Sequence, residues 1–223
     1  MKHLFLLLLL FVSSTSFAQQ FYRIKTDFSI KQKNADNTTS LTIGTAYYDK
    51  LAKKLIYKIS FPEKETWVFK DTLLYVFKNG VFFTKIKSIL LPEFSIFHLA
   101  LNNKLSDYGL KDSQFKIDKV EKEKSMVITT YKPSPKIAKT LGNVLVSTVD
   151  TKLNGVIFYT VKGEIASKIF YKEYKSFSGF AFPTKVTQFT YGKGESLQQT
   201  TYKNIVIDQM TEDDVYNYTI KGF

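Results

Sequence analysis

From Asp27 to Asp208 the chain alternates apolar and polar residues in short runs, and this period of two breaks once. Alternation at that period marks strands with one buried face, so a chain dominated by it builds antiparallel sheet. Phe28 to Gln32 is a first strand. Leu41, Ile43, Thr45 and Tyr47 share a face of the next. Leu55, Tyr57, Ile59 and Phe61 do the same, opposite Lys54, Lys58 and Ser60. Trp67 and Phe69 follow, then Leu73, Tyr75 and Phe77, ending at the tight-hairpin pair Asn79-Gly80. Val81 to Lys87, Gln114 to Val120, Ser125 to Tyr131 and Val144 to Val149 continue the pattern, with Glu121 to Lys124 as a charged turn. Asn154-Gly155, Lys162-Gly163 and Gly192-Lys193-Gly194 mark hairpins among Val156–Val161, Ile165–Tyr174, Pro183–Tyr191 and Leu197–Ile207. Short turns imply sequential antiparallel pairing. The expectation is a mainly β (α+β) protein: one curved antiparallel sheet of about eleven strands, covered by one or a few short helices.

The break runs from Leu90 to Leu110. Phe94, Phe97, His98, Leu101 and Leu105 fall on one face at helical spacing, and Pro92 suits a first turn. A single helical turn is expected again at Glu212 to Tyr216, with Thr211 and Asp214 as a capping pair.

The first residues have the pattern of a targeting segment. Lys2 and His3 precede an unbroken apolar run, Leu4 to Val12, and Ser16-Phe17-Ala18 supplies small residues for cleavage before Gln19. The run is too short for a membrane anchor. Residues 1–18 are therefore expected to be a signal peptide, and residues 19–223 a single exported domain.

Composition removes most chemistry. The chain has no cysteine, hence no disulfide, no thiolate metal site, no cysteine nucleophile and no lipidated N-terminal cysteine. His98 is the one histidine after the signal. With no glycine-rich phosphate loop and no nucleophile elbow, no catalytic residue, metal site or cofactor is expected. The net charge is +12, almost all lysine, with Arg23 the sole arginine. Base and phosphate recognition favours the arginine fork, so a nucleic-acid partner is not expected.

Aromatics carry the remaining signal: 20 Phe and 14 Tyr against one Trp. Tyr57, Phe61, Trp67, Phe69, Tyr75, Phe77 and Phe83 are expected on the inner face of the sheet, with Phe94, Phe97, His98 and Leu101 covering them from the break helix. A wide sheet curls, and an apolar space under one small helix is a site for an apolar guest. An acyl chain of about twelve methylenes would gain roughly 10 kcal/mol there before ordering costs.

The order of elements resembles the periplasmic lipoprotein carriers of the LolA type and the LolA/LolB-like fold. The matching stretches are Thr42-Ile43-Gly44-Thr45-Ala46-Tyr47-Tyr48, Lys54-Leu55-Ile56-Tyr57, Phe61 to Asp71 and Leu74-Tyr75-Val76-Phe77. Phe180-Ala181-Phe182-Pro183-Thr184-Lys185-Val186 is similar to a segment of relatives of the fold. The resemblance implies an incomplete barrel lidded by helices. It further implies a monomeric periplasmic carrier of lipoprotein acyl chains or related lipids, exchanging cargo with inner- and outer-membrane transfer proteins. The family often carries an arginine that helps hold the lid; Lys50 stands in that region here. A non-lipid interaction or scaffold β-domain of the envelope is the alternative reading, and an exported hydrolase with carboxylates near His98 is a third.

Overall fold

The computed structural model describes residues 21–88, 92–177, 180–192, 194–208 and 211–218. The expected signal peptide and Leu90, the start of the break, lie outside the described residues.

Among the described residues, thirteen strands form one sheet, rather than about eleven. The first half comprises β1 (Arg23–Lys33), β2 (Thr39–Asp49), β3 (Lys54–Phe61), β4 (Glu65–Lys70), β5 (Leu73–Lys78) and β6 (Val81–Lys87). The second comprises β7 (Phe115–Glu123), β8 (Met126–Pro133), β9 (Val144–Val149), β10 (Lys152–Tyr159), β11 (Ile165–Phe177), β12 (Phe180–Thr190) and β13 (Ser196–Ile207). Between the halves come a 3-10 turn (Pro92–Phe94) and helix α1 (Ile96–Leu101); helix α2 (Asp213–Tyr216) follows β13.

The strand order is β6-β5-β4-β3-β2-β1-β13-β12-β11-β10-β9-β8-β7, antiparallel throughout. The first and last strands of the chain thus pair at the centre, while β6 and β7, neighbours in sequence, form the two free edges. The curved sheet is not closed, and the incomplete barrel expected from the sequence is what forms. The connection between β6 and β7 must run from one edge to the other, and it carries α1 across the inner side. That placement is explicit in the packing: Phe97, Ala100 and Leu101 share one core with Ile24 and Phe28 of β1, Tyr48 of β2, Phe182 of β12 and Tyr202 of β13. A second core, including Tyr131, Val146, Val156 and Tyr171, lies under residues 105–115.

A third cluster sits on the outer face, where Tyr47, Ile56, Val68 and Phe77 are covered by Val215 and Tyr216 of α2. Arg23 fixes that helix. Its guanidinium binds Asp49 at 2.9 Å and Asp213, and stacks 4.5 Å over the Tyr216 ring.

Local chemistry corrects three expected turns and ends. Asn154-Gly155 lies inside β10, not at a hairpin. The turn is Asp150-Thr151, both at positive φ, and Asn154 falls in a register shift. Glu121 to Glu123 belong to β7, so the turn there is only Lys124-Ser125. Glu212, rather than Thr211, is the N-cap of α2, with no side-chain cap bond.

Candidate functional site

Helix α1 is built by its ends rather than by length. Ser95 is the N-cap: its Oγ accepts from the His98 N–H at 3.2 Å and donates to the Pro92 carbonyl at 2.6 Å. At the other end Asn103 adopts φ 54°, its N–H donates to the Ala100 carbonyl, and the Lys104 N–H reaches back to the Leu99 carbonyl at 2.7 Å. That pair is a Schellman closure, and it stops the helix six residues after it starts. A second closure of the same kind follows, with Tyr108 at φ 55° and the Gly109 N–H bonded to the Lys104 carbonyl. The apolar spacing through Leu105 is real, but two tight stops divide it. The expected helical face is therefore one short helix and a string of turns.

The helix is buried nearly all round, with Phe97, Leu99, Ala100 and Leu101 inside. Phe97 is 1% exposed. Its ring stacks on Phe182 at 5.8 Å and on Tyr48 at 6.3 Å, and meets Tyr202 edge-on at 5.5 Å. The side chain occupies the space that a cover would leave open beneath it. In form α1 is a plug in the curled sheet.

Two polar contacts tie the plug to β2 and the turn after it. The Tyr48 hydroxyl lies 2.5 Å from His98 Nδ1. Burial pushes the Tyr48 phenol well above its usual range, and burial likewise lowers the His98 imidazole, against an opposing pull from Glu93. A tyrosine that keeps its proton beside a neutral histidine donates to it, leaving the ring proton on Nε2. The Lys50 ammonium donates to the Leu101 carbonyl at 3.3 Å, at the C-terminal end of α1, where a cation suits the free carbonyls.

Open grooves flank the plug. The larger, about 640 Å³, is lined by Phe94, His98 and Leu99 on one side and by Leu110, Phe115, Ile137 and Leu141 on the other. Lys104, Asp112 and Glu93 lie at its margin. Phe94 at 49% and Leu141 at 48% exposure give it an apolar rim in water. A second, about 350 Å³, lies by Ala100, Leu105, Leu153 and Tyr174. Both are of a size that takes small apolar guests.

Of the residues expected at the site, Tyr57, Trp67, Phe69, Phe97 and Leu101 meet in the core around the plug. Tyr57 contacts Phe28 at 4.9 Å and Phe69 at 5.8 Å, edge-on in both cases. Phe94 and His98 meet in the larger groove. Four expected residues go elsewhere, Phe83 among them, which stands 61% exposed on the edge strand β6. Tyr75 and Phe77 lie on the outer face, because the short Asp71-Thr72 turn sets Phe69 opposite Leu74 and Val68 opposite Tyr75, and directly opposed residues share a face. Phe61 is displaced by one residue: Gly44 pairs with Ile59 but Ile43 with Phe61, so the bulge at Ser60 turns Phe61 outward. It stands 48% exposed in a groove with Leu41 and Leu197. Tyr48, Phe182 and Tyr202, the walls around Phe97, were not among the expected residues. Parity signals two of them: Phe182 stands between Ala181 and Pro183, and Tyr202 between Thr201 and Lys203, whereas Tyr48 follows Tyr47 and its face is set only by strand pairing.

Solved structures with this fold exist. A LolA superfamily protein from Nitrosomonas europaea superposes with a TM-score of 0.58 at 13% identity, covering 89% of this chain and 90% of that one. A putative outer membrane lipoprotein-sorting protein domain from Vibrio parahaemolyticus gives 0.63 at 12% identity, covering 88% and 89%. A DUF1329 family protein from Desulfovibrio piger gives 0.61 at 12%, covering 89% and 90%. No protein-family model matches the sequence, and no curated protein matches it either. The chain has a LolA-like fold.

Proposed function

We propose that this protein is a periplasmic carrier. It binds acyl chains of lipoproteins, or of related lipids, against the inner face of its sheet and ferries them towards the outer membrane without covalent chemistry. It is exported by residues 1–18, acts as a monomer, and exchanges cargo with transfer proteins at the inner and outer membranes. The observation that carries this reading is the plug. A six-residue helix has almost no stability of its own, so α1 is held in place by apolar burial. An acyl chain offers the same surface the same kind of contact, and the exchange of one for the other costs little. The grooves on either side of α1 give such a chain a place to enter, and the LolA-like fold is consistent with the role.

Native mass spectrometry after gentle purification tests it. Acyl-bearing molecules are expected to remain bound. Phe94→Asp and Leu141→Asp, both on the exposed rim, put a carboxylate where a methylene chain must pass. Each should cut recovered cargo about tenfold or more at an unchanged circular dichroism spectrum. A protein that is always empty, in wild type and variants alike, ends this reading.

The tight stacking of Phe97 supports a second reading, an envelope interaction module whose interior is permanently filled. Cross-linking to a protein partner with no lipid recovered would select it.

A further inference from the structure

Four tyrosines in and around the two inner cores use their hydroxyls within the protein. Tyr48 bonds His98 Nδ1, Tyr174 donates to the Leu153 carbonyl at 2.8 Å, and Tyr108 and Tyr171 bond each other. Tyr57 and Tyr202 differ: neither hydroxyl has a hydrogen-bond partner among the described residues. The two lie together. Tyr202 is opposite Phe28 across the β1–β13 ladder, and Tyr57 meets the Phe28 ring edge-on at 4.9 Å, so both phenols flank Phe28 on the inner face. The Tyr202 ring also meets Phe97 of the plug and Phe182 edge-on, at 5.5 Å from each. Tyr202 is 8% exposed. A hydroxyl sealed in such a place without a partner is costly to keep. Among the described residues the sealed, unpartnered hydroxyl is that of Tyr216, on the outer face. The Tyr57 and Tyr202 oxygens therefore open onto space that a small polar group can reach. Burial raises both phenols well above their usual range, Tyr202 with a further push from Tyr57, so each keeps its proton.

We propose that Tyr57 and Tyr202 form a polar subsite inside the sheet that binds the carbonyl of an ester- or amide-linked acyl chain. The surrounding charge selects a neutral guest. Among the described residues the one charged side chain that is buried is Asp49, already held by Arg23, and no lysine or arginine is buried. A carboxylate or phosphate brought to the two phenols would lack a counter-charge. A carbonyl oxygen has two lone pairs, carries no charge, and accepts from neutral O–H donors. This role rests on the carrier reading and gives the cargo a chemical preference. A guest that takes the place of Phe97 comes against the Tyr202 ring. Its methylenes replace the apolar contacts of the plug, and its carbonyl accepts the hydrogen bonds that the two phenols leave unmade. Plain hydrocarbon gains no such bond, and a free fatty acid leaves its charge unpaired.

Titration of the purified protein with methyl laurate, laurate and tridecane tests it, since the three chains are of similar length and differ at one end. Trp67, the sole tryptophan, stands opposite Tyr57 in the β3–β4 ladder, so its fluorescence reports on the subsite. Tyr57→Phe and Tyr202→Phe should each weaken methyl laurate about fivefold and leave tridecane unchanged. Circular dichroism and melting temperature should stay as in the wild type, because neither hydroxyl bonds within the protein. Laurate, ionised at neutral pH, should bind less tightly than its ester. Equal weakening towards methyl laurate and tridecane, or no weakening towards either, overturns the subsite and leaves the carrier reading standing. Laurate that binds as tightly as its ester and loses as much in the variants also overturns it, making the site one for carboxylates. A wild type that binds none of the three ends both the subsite and the carrier reading.

Discussion

His98 joins the plug to the sheet through a hydrogen bond in which, with the phenol donating, the imidazole is neutral. Folding lowers its pKa below the ordinary 6.5, chiefly by burial. The unfolded chain therefore takes up the proton first as pH falls, and stability rises with pH across that window. Stability from this group should be intact above about pH 6.5. It should decline from there down to the lower folded value, and level off below it. Thermal melts of wild type and His98→Gln between pH 7.5 and 5 measure this. The wild type should lose more stability on acidification than the variant, and parallel profiles would mean the imidazole plays no such part. Phe97 sets the scale of the apolar contribution. Its ring is enclosed by Tyr48, Phe182 and Tyr202. Phe97→Ala should cost about 3–5 kcal/mol in urea unfolding. A loss under about 1 kcal/mol would show that the walls close over the gap.

At the scale of elements, α1 is a helix whose cap matters more than its propensity. Ser95→Ala removes the bond to the His98 N–H and should cost about 1 kcal/mol. A plug that opens locally before the sheet unfolds should show the loss as roughly fivefold faster hydrogen exchange at the Leu99 and Asn102 amides, with strand amides unchanged. Uniform acceleration across β1 and β13 would instead mean that plug and sheet open together. The strands and most turns could be read from alternation and from pairs such as Asn79-Gly80, because these are local signals. What could not be read was set by pairing. Leu73-Leu74-Tyr75-Val76-Phe77 is apolar on both faces, so only the turn before it decides which side Tyr75 and Phe77 take. The bulge that turns out Phe61 is invisible until β2 is opposite β3; Gly44 then matters, since a Cβ there would lie 2.2 Å from the Lys58 carbonyl oxygen. The helix stop at Asn103 had a signal, an asparagine pair, that helical spacing through Leu105 outweighed.

For the whole molecule, the inner cores share residues. Ile96, Leu105 and Val186 pack against both. The pairing of β1 with β13 joins the halves at the centre of the sheet. Such coupling predicts one cooperative unit. Fluorescence of Trp67, the sole tryptophan, reports the first half, and far-ultraviolet circular dichroism reports all strands. Their urea transitions should coincide. A displaced fluorescence transition would divide the chain into two domains.

Asp208, just past β13, accepts hydrogen bonds from the Tyr22 and Arg23 amides at 2.7 and 2.8 Å. Where the described sheet begins and where it ends are thus in contact. Joined there and cut between β6 and β7, the same strands would follow one another from β7 through β13 to β1 and on to β6 as a plain meander. The plug would then hang from a chain end. The segment that fills the interior is, in topological terms, a tail, bound to the sheet by the packing around Phe97 and not by the order of the strands.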